Sequence, residues 1–136
     1  MSSTLCPYIA FRADAREAME FYRDVFGGDL DISTFGDFGT EGPDAGKVMH
    51  AQLKTPAGLL LMASDTPDGM DHSPGGAITI SLFGDDRDDL VRWWQRLSDG
   101  GTVTMPLEKQ VCGDEFGMLT DRFGVAWMVN VGRAQQ

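Results

Sequence analysis

The chain carries one short sequence twice, and this internal repeat constrains its fold more than any other feature. Residues 50–62 read HAQLKTPAGLLLM, and residues 116–128 read FGMLTDRFGVAWM. Upstream, 20–28 and 92–101 repeat an aromatic pattern. A displacement of 66 positions superposes Leu53 on Leu119, Gly58 on Gly124 and Met62 on Met128. Because 136 residues suit one domain, the repeat predicts a single domain over 1–136 built from two copies of one module.

The first copy is predicted to span residues 5–64. Apolar residues at helical spacing follow Asp14, a predicted N-cap with Glu17 at capping-box spacing, and the helix is expected to stop at Gly27–Gly28. The stretch 36–47, rich in glycine and acidic residues, is expected to be a loop. The predicted strands are Leu5–Phe11, Asp29–Phe35, Val48–Thr55 and Gly58–Ser64.

The second copy, residues 77–131, repeats this order. Its helix is expected to bury a face that includes Trp93, Trp94 and Leu97, and to end at Gly100–Gly101. The predicted strands are Ala77–Phe83, Thr102–Leu107, Glu115–Thr120 and Val125–Val131. Each copy is therefore a βαβββ module.

Two such modules predict where a ligand cavity lies. A four-stranded sheet with one helix has one covered face and one open face. Placing the two sheets together with the helices outside gives an α+β fold, a cup-shaped mixed sheet of eight strands. The open faces of this sheet would enclose a concave cavity.

Charge and cysteine usage exclude several classes of partner. The formal net charge of −10 disfavours nucleic acid and anionic membranes as partners. No apolar run approaches the ~18 residues of a membrane span, and the N-terminus does not resemble a signal peptide. The two cysteines are far apart and form no disulfide framework or zinc motif, so a cytoplasmic location is expected.

Five segments along the chain carry a family resemblance. They are PYIAF (7–11), EAMEFY (17–22), HAQL (50–53), LMASD (61–65) and, most specifically, TDRFGVAWMVNV (120–131). The chain resembles the vicinal oxygen chelate superfamily, which includes glyoxalase I, extradiol dioxygenases and the bleomycin and fosfomycin resistance proteins. Within it, the chain looks most like the PhnB-like branch. The resemblance covers nearly the whole chain and implies the same paired βαβββ modules.

The resemblance also implies where a metal would be held. Members of the superfamily typically bind a divalent metal through one side chain from the first strand and one from the last strand of each module. Here the last-strand positions fall on Met62 and Met128, and the first-strand positions fall near Pro7 and Ala77. A thioether is a soft donor, whereas hard divalent ions need imidazole or carboxylate ligands. We therefore expect a metal-free protein with no cofactor.

Strand alternation predicts the residues that line the cavity. If Met62 and Met128 face inward, then Leu61, Trp127 and Val129 face the helices. The predicted ligand-binding residues are His50, Gln52, Met62, Ser64, Thr79, Phe116, Met118, Met128 and Asn130. A mostly apolar wall with a few polar groups is typical of a small-molecule site.

One of these residues, His50, is the candidate for acid–base chemistry. Imidazole titrates near neutral pH, so His50 could act as a general base or bind an anionic ligand. The alternative interpretation is a partly buried histidine that is hydrogen-bonded to Gln52 or Asn130.

Four other polar residues are weaker candidates. His72 lies in a connector rich in glycine and proline and is expected to be exposed. Cys112 has no activating base nearby in the sequence, which disfavours a role as a nucleophile. Asp65 and Asp121 each end a strand pattern, and turn formation is the favoured role of both.

Three functions from different classes remain. The favoured one is a protein that binds a small molecule in a metal-free cavity. The alternative is an enzyme of the lyase, isomerase or dioxygenase type with His50 as acid or base. A methyltransferase is suggested only by a label common among proteins of this branch, and the chain has neither a glycine-rich nucleotide loop nor the length for a doubly wound sheet.

The open edges of the expected sheet predict self-association. Exposed strand edges are usually paired or covered, and two-fold symmetry is the commonest solution. Related proteins often pair βαβββ modules across chains. We therefore expect a homodimer.

Overall fold

The computed structural model describes residues 5–67, 78–109 and 113–132. These residues fall into two units that divide between positions 74 and 75. Each unit contains one helix of 12 residues and one four-stranded mixed sheet. The α+β class and the repeated βαβββ order predicted from the sequence are therefore confirmed.

The first unit follows the predicted order of elements closely. They are β1 (Tyr8–Phe11), α1 (Ala15–Phe26), β2 (Asp29–Thr34), β3 (Val48–Lys54) and β4 (Leu60–Asp65). The sheet order is β1-β4-β3-β2, with β1 parallel to β4 and the other neighbours antiparallel. The predicted loop after β2 contains one short 3₁₀ helix, Gly36–Phe38.

The second unit repeats this topology. Its elements are β5 (Ile80–Gly84), α2 (Arg87–Ser98), β6 (Thr102–Lys109), β7 (Glu115–Thr120) and β8 (Ala126–Val131). The sheet order is β5-β8-β7-β6, again with the first strand parallel to the last. The edge strand β6 pairs irregularly with β7, with register shifts on both sides of Met105.

The core of each unit lies between the helix and one face of its sheet. Alternate residues of β4 and β8 are buried in the same pattern, and they include Leu61 at 5% exposure and Trp127 at 1% exposure. Helix α1 contacts β2, β3 and β4, whereas α2 contacts β5, β7 and β8. The residues predicted to face the helices do so, because the period of two in a strand fixes one face as core.

Glycines follow both helices and let the chain return closely to the sheet, directly after α1 at Gly27–Gly28 and one residue beyond the Asp99 C-cap of α2 at Gly100–Gly101. Gly27 has φ 75° and donates its backbone N–H to the carbonyl oxygen of Arg23, which closes α1. A Cβ atom on Gly28 would clash with the carbonyl oxygen of Lys54, and one on Gly101 would clash with that of Thr120. The predicted helix stops are confirmed, and their glycines permit close backbone contact.

Asp14 occupies the N-cap position of α1 as predicted, but its side chain makes no capping hydrogen bond. The Asp65 carboxylate of β4 accepts from Ala15 N at the start of that helix instead. Two predicted strand starts are wrong, and the first is that of β1, which begins at Tyr8 and not at Leu5. Strand β5 begins at Ile80, so Ile78 and Thr79 precede it although they continue the alternating pattern. Ala77 lies outside the described residues. Alternation marks residues suited to a strand, but only pairing with β8 defines where the strand begins.

Within residues 5–67, 78–109 and 113–132, no helix is both long and apolar enough to span a membrane.

Candidate functional site

An open depression of about 570 Å³ lies on the second unit, beside the ends of β5, β7 and β8. Ser81 lies next to Met128 in the parallel register of β5 and β8. Asn130 lies next to Phe83 on one side and Phe116 on the other. Nine of the residues that the structure describes line it, three of them large and apolar, and these nine are Ser81, Phe83, Gly84, Asp85, Asp114, Phe116, Met128, Asn130 and Gly132. This mixture suits a small molecule that has both apolar and polar groups.

An ion pair and two further carboxylates determine the charge near this depression. Arg87 at the start of α2 donates from Nε to Glu115 Oε1 at 2.6 Å and from Nη2 to Oε2 at 3.2 Å. These bonds lower the pKa of Glu115 and raise the pKa of Arg87. Asp85 and Asp114 line the depression, and the described part of the chain offers neither carboxylate a hydrogen bond or an ion pair.

The corresponding face of the first unit carries the predicted acid–base residue. His50 in β3 is half-buried, and its ring centroid lies 6.0 Å from that of Tyr8 at an interplanar angle of 37°. Gln52 is level with Met62 across β3 and β4, and Ala10 is level with Ser64 across β1 and β4. Within the described ranges, no hydrogen bond joins the side chains of His50 and Gln52, and the ring of Tyr8 is an aromatic neighbour of this histidine.

The structure brings together part of the predicted ligand-binding set. Phe116, Met128 and Asn130 line the depression of the second unit. Met118 lies beside Met128 on the same sheet but does not line the depression, and Thr79 precedes β5. The predicted residues of the first unit lie on β3 and β4, and they are His50, Gln52, Met62 and Ser64. His72 and Cys112 lie outside the described residues.

Six lining residues are absent from the predicted set. Asp85, Asp114 and Gly132 lie just beyond the ends of strands, where alternation no longer gives the direction of a residue. Ser81, Phe83 and Gly84 lie inside β5, and the alternation that selected Thr79 could have identified Ser81 and Phe83.

The residues at the metal positions implied by the family do not fit a divalent metal. The first-strand residue beside Met62 is Tyr8, one position from the predicted Pro7. The residue beside Met128 is Ser81, so the predicted position near Ala77 is wrong because β5 begins later than expected. Two thioethers, a phenol and a hydroxyl are not the ligands that hard divalent ions prefer. No three His, Cys, Asp or Glu side chains of the described residues are grouped to hold a metal ion.

The two buried aspartates serve the fold. Asp121 Oδ1 accepts hydrogen bonds from the backbone N–H groups of Phe123 and Val125, which confirms its predicted turn role. Asp65 is different, because its carboxylate accepts from Ala15 N at 2.8 Å and from Val48 N at 2.9 Å. The turn role predicted for Asp65 is wrong, since it joins two distant segments of the first unit.

Comparison with known proteins agrees with this fold and with the resemblance seen in the sequence. Residues 5–129 match the model of the Glyoxalase/Bleomycin resistance protein/Dioxygenase superfamily. Protein YjdN of Escherichia coli is 26% identical over an alignment of 145 residues, gaps included. This alignment covers 96% of this chain and 97% of YjdN. The crystal structure of protein PA1353 from Pseudomonas aeruginosa is 37% identical with a TM-score of 0.87, and the match covers 98% of this chain and 100% of that one. A PhnB protein from Bacillus cereus shares the fold, at 24% identity, a TM-score of 0.70, and coverage of 93% and 98%.

Proposed function

The chain belongs to the Glyoxalase/Bleomycin resistance protein/Dioxygenase superfamily, and from this membership we propose that it binds a small molecule on the second-unit sheet without a metal at the family position. The observation that carries the proposal is the depression of about 570 Å³ lined by Phe116, Met128 and Asn130. Burial of apolar ligand surface would supply affinity at ~25 cal/mol per Å². The Asn130 amide would orient the ligand by hydrogen bonding.

The absence of a metal from this proposed function rests on donor chemistry. Met62 and Met128 occupy the repeated last-strand positions, with Tyr8 and Ser81 beside them. Methionine in an apolar pocket commonly serves to fill space. Elemental analysis of protein purified without an affinity tag is expected to find no stoichiometric divalent metal. One equivalent of Zn, Ni, Mn or Fe per chain would contradict this part of the proposal.

A ligand screen by thermal shift, run with and without a chelator, tests the binding function. Hits are expected to raise the melting temperature equally in both conditions. Asn130→Ala is expected to weaken a hit by about 1–3 kcal/mol, the cost of one lost buried hydrogen bond. Gln95→Ala, which removes an exposed amide of α2 outside the depression, is the matched control and should leave affinity unchanged. Hits that Gln52→Ala weakens and Asn130→Ala does not would show that the ligand binds the sheet of the first unit, against the proposal.

One observation favours the enzyme alternative. The imidazole of His50 lies beside the phenol ring of Tyr8 and makes no hydrogen bond to Gln52 in the described part of the chain. Acid–base catalysis needs a titratable side chain such as this imidazole within reach of the substrate. If the protein is a lyase, isomerase or dioxygenase of this kind, His50→Ala should lower kcat by about 10²–10⁴-fold. An unchanged kcat in that variant would exclude His50 from the chemistry.

We also propose that the protein acts as a homodimer. Four strands lie at sheet edges in the two units, and β6 exposes Val103 and Met105 at 43% and 42%. Unpaired edges with apolar side chains favour pairing with a second copy. Light scattering at micromolar concentration is expected to give twice the chain mass of 14.8 kDa, and the mass of one chain would contradict the proposal.

A further inference from the structure

We propose that the ligand of the depression on the second unit is an organic cation, with a positively charged nitrogen group beside an aromatic or apolar body. This inference rests on the small-molecule function proposed above and adds the chemical class of the ligand. Its basis is the combination, in one depression, of two carboxylates, two aromatic rings and a thioether.

The first step concerns the two carboxylates. Asp85 follows β5 and Asp114 precedes β7, so both enter the depression from segments beyond the strands. Among the residues that the structure describes, neither side-chain carboxylate has a hydrogen-bond or ion-pair partner. A carboxylate without a partner in a concave site attracts a cation and opposes an anion.

The second step contrasts these groups with their charged neighbours. Glu115 lies next to Asp114 in the sequence but is paired with Arg87 through two hydrogen bonds. Among the described residues that line the depression, none is Lys, Arg or His. The depression therefore presents negative charge, and a ligand with a cationic group would supply the missing partner.

The third step concerns the apolar wall, which argues for an organic cation over a bare ion. Phe83, Phe116 and Met128 line the same depression, and Phe83 is 79% exposed. Aromatic faces attract ammonium and guanidinium groups and also bind flat apolar surfaces. A small metal ion would gain nothing from these three side chains.

The last step concerns the space beside one carboxylate. A Cβ atom on Gly132 would lie 3.9 Å from both Asp114 oxygens, which is ordinary contact distance. The absence of a side chain at position 132 therefore leaves the Asp114 carboxylate open to the depression. Gly132→Ala would add a methyl group there without a clash.

A pair of matched probes tests the charge requirement. 2-Naphthylguanidinium and 2-naphthylurea have the same planar shape and differ by one positive charge at neutral pH. Titrations followed by NMR report both affinity and whether signals of Phe116, Met128 and Asn130 shift. We expect the guanidinium probe to bind at least about tenfold more tightly, because it can form charge-assisted bonds with carboxylates. This preference should shrink as salt is raised.

Substitutions then assign the preference to the depression. Asp114→Asn and Asp85→Asn are each expected to weaken the guanidinium probe by about three- to tenfold and to leave the urea probe unchanged. Asp88→Asn removes the same charge from an exposed residue of α2 outside the depression, and it should change neither affinity. Gly132→Ala, which crowds Asp114, should weaken the guanidinium probe more than the urea probe.

The outcomes separate this inference from the function on which it rests. Equal binding of both probes at the depression would keep the small-molecule function and overturn the cationic class. Shifts confined to residues outside the depression, or no binding of either probe, would overturn both. A guanidinium preference that Asp88→Asn reduces as much as Asp114→Asn would also overturn the cationic class, since it would reflect net charge alone.

Discussion

The two units share one topology but connect equivalent points by different chemistry. In the first unit, the buried carboxylate of Asp65 bonds the backbone of Ala15, the first residue of α1, and of Val48, the first residue of β3. In the second unit, the first residue of α2, Arg87, forms an exposed ion pair with Glu115, the first residue of β7. The repeat therefore preserves which elements are joined, while the groups that join them have changed.

This difference changes what the acidic residues can do. A displacement of 66 positions places Asp65 on Val131, so the second unit has an apolar residue where the first has its buried carboxylate. The same displacement places Val48 on Asp114, whose carboxylate lines the depression. In the first unit, Asp65 stabilises the core. In the second unit, the Asp114 carboxylate faces the depression, where a ligand could contact it. A duplicated fold can specialise in this way because its scaffold depends mainly on apolar periodicity.

The largest expected effect comes from removing the buried connection. Asp65→Ala should destabilise the protein by about 2–6 kcal/mol, because each of two buried N–H groups left without an acceptor costs about 1–3 kcal/mol. Glu115→Ala should cost far less, since exposed ion pairs contribute little to stability. Urea unfolding of both variants measures the difference. Equal losses in the free energy of unfolding would mean that the buried and the exposed connection stabilise the protein equally, which would contradict the difference between the two units.

A smaller effect should follow from exchanging the hairpin residues. Thr55 and Asp121 are equivalent, because Thr55 Oγ1 accepts from Leu59 N at 2.9 Å and Asp121 Oδ1 accepts from Val125 N at 3.1 Å. Asp121 Oδ2 also accepts from the indole Nε1 of Trp127 at 2.9 Å.

Asp121→Thr would keep an acceptor for Val125 N, as Thr55 does for Leu59 N, and would lose the acceptor for the indole. We expect a loss of about 1–3 kcal/mol, the cost of removing one partner of a buried hydrogen bond. Thr55→Asp, the reverse exchange, should stay within about 0.5 kcal/mol, as is usual for turn residues outside the core. Thermal unfolding reports both effects. A tolerated Asp121→Thr would show that the indole bond contributes nothing to stability.

Much of the fold follows from local sequence patterns. The helix faces and the βαβββ order of elements along the chain were predictable because periods of 3.6 and 2 are visible within a few residues. The bonds of Asp65 were not, because their partners lie 50 and 17 positions away. Local reasoning assigned Asp65 to a turn, and only the folded arrangement of β4 beside α1 and β3 reveals its role.

The candidate site divides along the same line. Alternation identified Phe116, Met128 and Asn130 because they lie within regular strands. It could not identify Asp85 or Asp114, which lie where strands have ended. The residues that carry charge into the depression are thus the ones that sequence periodicity is least able to orient.

The smallest expected effect comes from the position at which the two units are most alike. Met62 and Met128 are half-buried, occupy the same place in the repeat and pair with the adjacent first strand in parallel register. If both only fill space, Met62→Leu and Met128→Leu should each change stability by less than about 1.5 kcal/mol, as volume-conserving exchanges do. Urea unfolding measures this change in stability, and elemental analysis of the same samples should show identical metal content in wild type and variants.

Only Met128→Leu is expected to change the affinity of a ligand in the depression, because Met128 lines it and Met62 does not. A bound metal that either exchange removed would show that the thioethers act as ligands, and the two units would then differ less in function than in their hydrogen bonds.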